Sequence, residues 1–295
     1  MHISIGIIAA LIALISWGFG DFFIQRSIRN IGALGALFFI GIFGSVMLLP
    51  IVWTRLPLLF EPSTFTLLLI TLIITFIGAA ILFKALNVGK LSVVEPILST
   101  ELIITLIISI FLLHEEIQTL QIALVAFVFV GIVMVAANRE HISWWQWWKK
   151  ERIIEKGVIL AIAGAFFSAL INTFTALASR DTSPIETIWF VHTGLAIITI
   201  GILGYQKRIK STLKAARKHW KPVLSQSILD NAAWIAYAKA VLTLPVGIAV
   251  AITESYIVLS TFLGISVGKE KLRPHQYIGI IIAIIAAAGL ALISG

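Results

Sequence analysis

Ten apolar stretches of about 20 residues each cover this chain almost from end to end, which is the length that a helix needs to cross a bilayer core of roughly 30 Å. Segments of this kind predict membrane-spanning helices and leave little chain for a soluble domain. The predicted spans are residues 3–23, 34–53, 65–86, 93–113, 120–137, 157–179, 186–205, 222–241, 246–267 and 277–293. We therefore expect an all-α integral membrane protein with ten transmembrane helices.

The composition agrees with this fold class and excludes several kinds of chemistry. Charged residues make up only 12% of the chain, against about 25% in a typical soluble domain. The chain has no cysteine, so disulfides and thiolate sites are excluded. It also lacks a P-loop and a dinucleotide-binding glycine pattern, so any transport would be driven by gradients and not by ATP bound to this chain. We expect no cofactor and no metal.

The net charge of +8 lies mostly in short loops, which predicts membrane orientation and argues against nucleic acid as a partner. Loops after odd-numbered spans hold eighteen Lys and Arg residues, and loops after even-numbered spans hold only Arg55 and Arg180. Cytoplasmic loops are the ones enriched in Lys and Arg. This distribution therefore places the odd loops in the cytoplasm and both termini outside.

The two halves of the chain are similar to each other. A shift of 155 residues aligns the end of span 3 through span 5 with the end of span 8 through span 10, and pairs Lys84 with Lys239. Each half holds five spans, so the second half would insert upside down relative to the first, as in many secondary transporters. We predict two inverted five-helix repeats at residues 1–138 and 157–295. A basic, Trp-rich interfacial linker at residues 139–156 would join them.

Several short motifs follow one another along the first half. They are Ser16-Trp17-Gly18 late in span 1, Glu95-Pro96 opening span 4, the Leu112–Glu116 segment before span 5, and Gly131 within span 5. In their order and spacing these motifs resemble those of EamA-type permeases of the drug/metabolite transporter superfamily. The resemblance implies a secondary transporter that works by alternating access and exports a small metabolite, often an amino acid or a related compound. The three acids near the middle of their spans favour an amine-bearing cargo or proton exchange. A sugar or nucleotide-sugar cargo is the alternative. The family usually keeps its termini in the cytoplasm, in conflict with the charge distribution.

Charged residues inside the spans are the candidate site, because a charge at the bilayer centre costs about 2.5–3.5 kcal/mol on insertion scales. Apart from Glu186, the first residue of its span, seven lie there: Asp21, Lys84, Glu95, Glu101, Asp230, Lys239 and Glu254. Glu101, Asp230 and Glu254 fall near the middle of their spans. A carboxylate at that depth can bind a substrate ammonium or carry a coupling proton. The alternative is a structural carboxylate that is tied to a neighbouring helix.

Helical spacing adds aromatic residues to the candidate site. Asp230, Trp234 and Tyr237 recur at i, i+4 and i+7, so they share one face of span 8 and could hold a cationic ligand. Packing between helices is the equally weighted alternative. A continuous helix would point Glu254 and Tyr256 in nearly opposite directions, so we expect only one of them to face inward.

Three further charged residues have two interpretations each. Lys84 and Lys239 lie near the ends of their spans and could extend to the membrane surface through their long side chains, or could serve as counterions and paired gates. Glu95 lies in the first predicted turn of span 4, where a carboxylate can either cap the helix dipole or bind substrate.

Other classes of function remain as weaker hypotheses. Gly18-Phe19-Gly20-Asp21 matches the GxGD string of intramembrane aspartyl proteases, with Asp230 as the imagined partner. A scaffold or sensor subunit is the third class. The expected partners are a small-molecule substrate, the lipid bilayer and protons. The expected location is the cell (plasma or inner) membrane, as a multi-pass protein, and monomer and homodimer both stay open.

Overall fold

The computed structural model describes residues 4–88, 97–136, 156–259 and 273–294, and the regular secondary structure in these ranges is entirely helical. The helices are α1 (Ile5–Val52), α2 (Leu56–Leu59), α3 (Pro62–Val88), α4 (Glu101–Phe111), α5 (Thr119–Ala136), α6 (Lys156–Asp181), α7 (Pro184–Tyr205), α8 (Ile209–Lys218), α9 (Trp220–Ala240), α10 (Val246–Glu254) and α11 (Pro274–Ile293). The expectation of an all-α fold is confirmed for these ranges.

Six helical stretches in the described ranges are long and apolar enough to cross a membrane. One of them, Ile5–Leu59, contains the first two predicted spans together, because the chain between them stays helical on either side of a kink at Gly32. Gly32 has φ 76°, a conformation that favours glycine. The loop expected between spans 1 and 2 is thus a break within α1. Ten separate crossings stay a prediction.

The predicted spans 4 and 9 are not uniform helices in the structure. Tightened turns interrupt them at Ser99–Thr100 and at Ser255, where backbone bonds run from residue i to i−3, as from Thr100 N–H to Ile97 O (3.0 Å) and from Ser255 N–H to Ile252 O (3.3 Å). Thr100 and Ser255 are separated by the repeat shift of 155 residues. Turns of this 3₁₀ type inside a helix often mark functional hinges.

Helices of the first half pack mainly on helices of the second half. The pairs are α3 with α6, α1 with α7 and α9, α4 with α10, and α5 with α11. Small residues allow the closest approach: a Cβ added at Gly131 would lie 2.8 Å from the carbonyl oxygen of Gly279. The halves therefore share one broad interface.

Helix α10 lies in the middle of this interface. Its residues Val246–Thr253 are all buried, and they form the centre of the largest apolar cluster with residues of α1, α4, α5, α9 and α11. A helix that is apolar on every side is stable only when it is surrounded. Glu254, the last residue of α10, is therefore carried into the interior of the bundle.

Residues that follow even-numbered predicted spans lie together at one end of the bundle, which we call the even-loop face. There Arg180 contacts Glu115 and the carbonyls of Val241 and Leu244. The other end, the odd-loop face, brings α8 onto the kink of α1, where a Cβ at Gly35 would lie 2.9 Å from Thr212. These contacts agree with spans that alternate in direction.

Candidate functional site

The carboxyl groups of Glu101 and Glu254 meet inside the bundle. The two carboxyl groups lie close enough to interact, and the side chain of Ser168 on α6 is also near Glu101. Glu101 is the first residue of α4 and Glu254 is the last residue of α10, so each carboxyl group adjoins one of the two tightened turns. The contact therefore joins the two halves at their hinge-like positions.

Two aspartates extend this group of acids. Asp230 on α9 is buried, with 7% of its surface exposed. Asp21 on α1 lies within electrostatic range of both Asp230 and Glu254. Asp21 therefore links Asp230 to the pair formed by Glu101 and Glu254.

Aromatic rings border the acids. The ring of Trp17 lies 5.1 Å from that of Trp234 in an edge-to-face arrangement and 5.9 Å from that of Tyr237, between ring centroids. Tyr237 is completely buried and donates a hydrogen bond from its hydroxyl to the carbonyl of Asn172 on α6, at 3.0 Å. Trp234 and Tyr237, which were predicted to share one face of α9, therefore belong to a larger group of aromatic rings. Sequence reasoning missed Trp17 as a member, although it precedes Asp21 by one helical turn.

Tyr256 also reaches this group, contrary to expectation. Its ring centroid lies 6.3 Å from that of Trp17, although Glu254 also faces the acids. The prediction that only one of Glu254 and Tyr256 could face inward was wrong, because it assumed a continuous helix. The tightened turn at Ser255 changes the direction of the side chains that follow it.

The candidate lysines lie elsewhere. Lys84 and Lys239 are both exposed, and neither forms an ion pair with a carboxylate in the described part of the chain. This placement is the one expected of lysines that extend to the membrane surface. Glu95, the remaining candidate, lies outside the described residues.

A network at the even-loop face joins the halves, and sequence reasoning did not anticipate it. Glu115 accepts bonds from Arg180 (2.6 Å), from the backbone N–H of Val246 (2.7 Å) and from the hydroxyl of Ser109. Arg180 in turn donates to the carbonyl of Val241 at 2.8 Å. We call these contacts the Glu115–Arg180 network. Two sequence signals pointed to it: Glu115 lies in one of the short motifs, and Arg180 is one of two cations in the even loops.

A second ion pair crosses the same face. Arg55 follows the first helix, and its Nη1 atom lies 3.2 Å from Oε1 of Glu186 at the start of α7. The side chain of Glu186 is largely buried, whereas that of Arg55 is 61% exposed. Both ion pairs found among the described residues thus connect the first half to the second at the even-loop face.

A buried polar contact fixes α9 against α7 and α1. His192 Nδ1 lies 2.8 Å from Asn231 Oδ1, and the amide nitrogen of Asn231 donates to the carbonyl of Ile40 at 3.1 Å. Both side chains are buried. His192 therefore packs and hydrogen-bonds between helices, and lies outside the group of acids.

Within the described ranges, no three His, Asp or Glu side chains are arranged to hold a metal ion. A surface recess of about 630 Å³ lies at the even-loop face, lined in part by Glu115, Gln121, Pro245 and Ser294. Through Glu115 it borders the Glu115–Arg180 network.

Comparison with known proteins agrees with the fold and with this division into halves. The model of the EamA-like transporter family matches residues 4–137 and again residues 155–292. A solved structure titled only "Crystal structure of protein" has a TM-score of 0.76 and 15% identity, and the match covers 98% of this chain and 97% of that one. This likeness shows a shared fold. No curated protein matches the chain. Because the two family matches cover nearly all of its length, the chain belongs to the EamA-like transporter family and is a multi-pass membrane protein of the drug/metabolite transporter superfamily.

Proposed function

We propose that this chain is a secondary transporter that exports a small amine-bearing metabolite, an amino acid or a related compound, in exchange for protons. The observation that carries the proposal is the contact of Glu101 with Glu254 at the two tightened turns, where α4 and α10 meet. Transporters typically bind substrate near the midplane where repeats meet and helices are interrupted. The contact of Glu101 with Glu254 lies where the two halves meet and where two helices are interrupted.

The chemistry around the contact favours a cationic group. Four carboxyl groups share the region with the rings of Trp17, Trp234, Tyr237 and Tyr256. In the described part of the chain, no Lys or Arg forms an ion pair with Glu101, Asp230 or Glu254. An ammonium group would satisfy the carboxylates, and aromatic faces would add cation–π attraction.

Thr105 provides an additional polar group beside the acids. It lies one turn beyond Glu101 on the same face of α4. Its hydroxyl is completely buried and has no hydrogen-bond partner among the described residues. A buried hydroxyl without a partner costs free energy, which a polar ligand could recover.

Proton exchange follows from the chemistry of two carboxyl groups in contact. A hydrogen bond between Glu101 and Glu254 requires a proton on one of them, because an ionised carboxylate only accepts. An ammonium group bound between them would take the place of this proton, and release of the substrate would allow a proton to return. The same pair would then bind substrate and proton alternately, which couples their movements.

The two ion pairs at the even-loop face support alternating access. They fasten the halves to each other on that side of the acids. Access from this face would require the Glu115–Arg180 network to open, and the tightened turns would allow α4 and α10 to bend. The halves would then rock about the group of acids.

Transport by purified protein in liposomes tests this proposal. A panel of amino acids, polyamines and sugars would be offered with and without a pH gradient. We expect flux of an amine that depends on the gradient, and we expect Glu101→Gln and Glu254→Gln to abolish that dependence. Glu61→Gln is the matched control, because Glu61 is an exposed carboxylate far from the site.

Other outcomes would separate the competing functions. Flux of sugars alone would favour the sugar or nucleotide-sugar alternative. Absence of flux for every solute, with full tolerance of Glu101→Gln and Glu254→Gln together, would favour a scaffold or sensor. Because Asp21 lies within electrostatic range of Asp230, cleavage of a membrane peptide that Asp21→Asn abolishes would favour the protease.

A further inference from the structure

Helix α8 is a short amphipathic helix at the odd-loop face. It spans Ile209–Lys218, about 15 Å at 1.5 Å per residue, which is too short to cross a bilayer. Thr212 and Ala216 are buried one turn apart against the bundle, and Ala216 packs with Ile31 of α1 and Val223 of α9. The helix thus has one attached face and one outward face.

The outward side of α8 and its surroundings are strongly basic. The cations are Arg26, Arg29, Lys207, Arg208, Lys210, Lys214, Arg217, Lys218 and Lys221, all exposed. We call these nine residues the basic face. Residues 22–60 and 205–229 contain no Asp or Glu. None of the nine cations forms an ion pair within the described ranges. A surface of one sign with no internal counterion attracts anions from outside.

Within α8 the cations occupy one arc of the helix. At 100° per residue, Arg217, Lys210, Lys214 and Lys218 fall in this order over about 100° of the circumference. The buried Thr212 and Ala216 lie on the opposite side. This arrangement presents four charges in one direction, so they can meet the same planar surface.

Apolar side chains accompany the basic face. Leu213 on α8 is 47% exposed, and Trp220, which begins α9, is 56% exposed with the Nζ of Lys221 5.9 Å from its ring. Exposed Trp beside Lys is typical of the zone between lipid headgroups and hydrocarbon. An amphipathic helix with this pattern lies in the interface of anionic bilayers.

We propose that the basic face binds the headgroups of anionic phospholipids. The location of the charges selects a lipid over an acidic protein. They lie between α7, which is long and apolar enough to cross a membrane, and α9, a predicted span, and the exposed Leu213 and Trp220 accompany them. Arg208 reaches the kink of α1: a Cβ at Gly32 would lie 3.6 Å from its Nη2 atom. A lipid bound here therefore contacts both halves of the protein and stabilises their attachment at this face.

The test measures lipid retained by the full-length protein in detergent, by native mass spectrometry with phosphatidylglycerol or phosphatidylcholine added. We expect preferential retention of phosphatidylglycerol, which declines as salt is raised. In Lys210→Gln/Lys214→Gln/Lys218→Gln the affinity should fall by more than about tenfold, because three of the cations that attract the anionic headgroup are removed. The charge-preserving variant with Arg at the same three positions is the matched control and should retain the lipid.

Several results would overturn this inference. They are equal retention of both lipids by the unmodified protein, unchanged retention in the Gln variant, or competition by soluble glycerol phosphate at the same concentration as the lipid. The last result would identify a site for small anions in solution. If the Gln variant fails to fold, the salt dependence of retention by the unmodified protein decides, because retention that is insensitive to salt excludes an electrostatic site. None of these measurements depends on transport, so they are independent of the proposed function.

Discussion

The Nη2 atom of Arg180 lies 2.6 Å from Oε1 of Glu115, and this ion pair joins the two halves of the protein at the even-loop face. The Glu115 side chain is only 11% exposed, so loss of Arg180 would leave a mostly buried carboxylate without its cation. We expect Arg180→Gln to open this face more often, by about tenfold or more, because a hydrogen bond to a charged group contributes about 1.5–3 kcal/mol.

Cysteine labelling measures this opening, because the natural chain has no cysteine. Ala249 on α10 is completely buried between the network and Glu254. In an Ala249→Cys background, Arg180→Gln should raise the rate of labelling by a water-soluble maleimide from the even-loop face. Phe60→Cys, at an exposed position of the same face, should label at one rate in both backgrounds. Equal rates at Ala249→Cys would show that the network does not control access.

Helices α5 and α11 approach each other so closely that one methyl group added between them should destabilise the protein. A Cβ at Gly131 would lie 2.7 Å from the backbone nitrogen of Ala283, so Gly131→Ala should separate the helices and destabilise the protein by about 1–3 kcal/mol. Gly201→Ala is the matched control: nothing lies within 4 Å of its added Cβ. It should be neutral or stabilising by up to about 1 kcal/mol. Thermal unfolding in detergent compares the two, and similar shifts would contradict the helix packing.

Removal of the Tyr237 hydroxyl should lower the stability of the protein modestly. Tyr237→Phe keeps the ring beside Trp17 but removes the bond to the Asn172 carbonyl, so the melting temperature should fall by an amount that corresponds to about 0.6–1.7 kcal/mol. Tyr277→Phe, at a residue that is 53% exposed, should have almost no effect. A stabilising Tyr237→Phe would argue against the hydrogen bond.

Substitution of the two exposed lysines, Lys84 and Lys239, should leave transport unchanged. Lys84 and Lys239 are exposed, and neither forms an ion pair with a carboxylate among the described residues. We therefore expect Lys84→Gln and Lys239→Gln, alone and together, to leave KM and the maximal rate of amine transport within about twofold of the unmodified protein, as is usual for surface substitutions. A large rise in KM in either variant would restore the hypothesis of a counterion or gate.

Much of the candidate site could be predicted from single helices. Asp230, Trp234 and Tyr237 were placed on one face by their spacing, and mid-span position singled out Glu101 and Glu254. Such inferences depend only on helical geometry and on the cost of a charge in hydrocarbon. They apply where the helix is regular. At Ser255 the helix tightens, and there the predicted direction of Tyr256 was wrong.

Contacts between distant segments could not be predicted in this way. Glu115 and Arg180 are 65 residues apart, and each has a plausible position in a polar loop without the other. Asp21 stands in the sequence among the charged residues inside the spans and in the GxGD string with Asp230, but its proximity to Glu254 of the second half follows only from the fold. Glu115 lies in one of the short motifs, but the sequence does not indicate that Arg180 is its partner.

Hydropathy alone was sufficient to establish a helical membrane protein, and the order of its short motifs pointed to the family. Charges and unpaired backbone groups are unfavourable in lipid, so the residues of each segment show by themselves whether that segment can cross a membrane. The folded bundle alone decided which carboxyl groups touch, which cations remain outside and how the halves are fastened. Lipid tails are as apolar as the helix surfaces, so hydrophobicity does not select partners in the membrane. Close packing of small side chains and hydrogen bonds between helices make that selection.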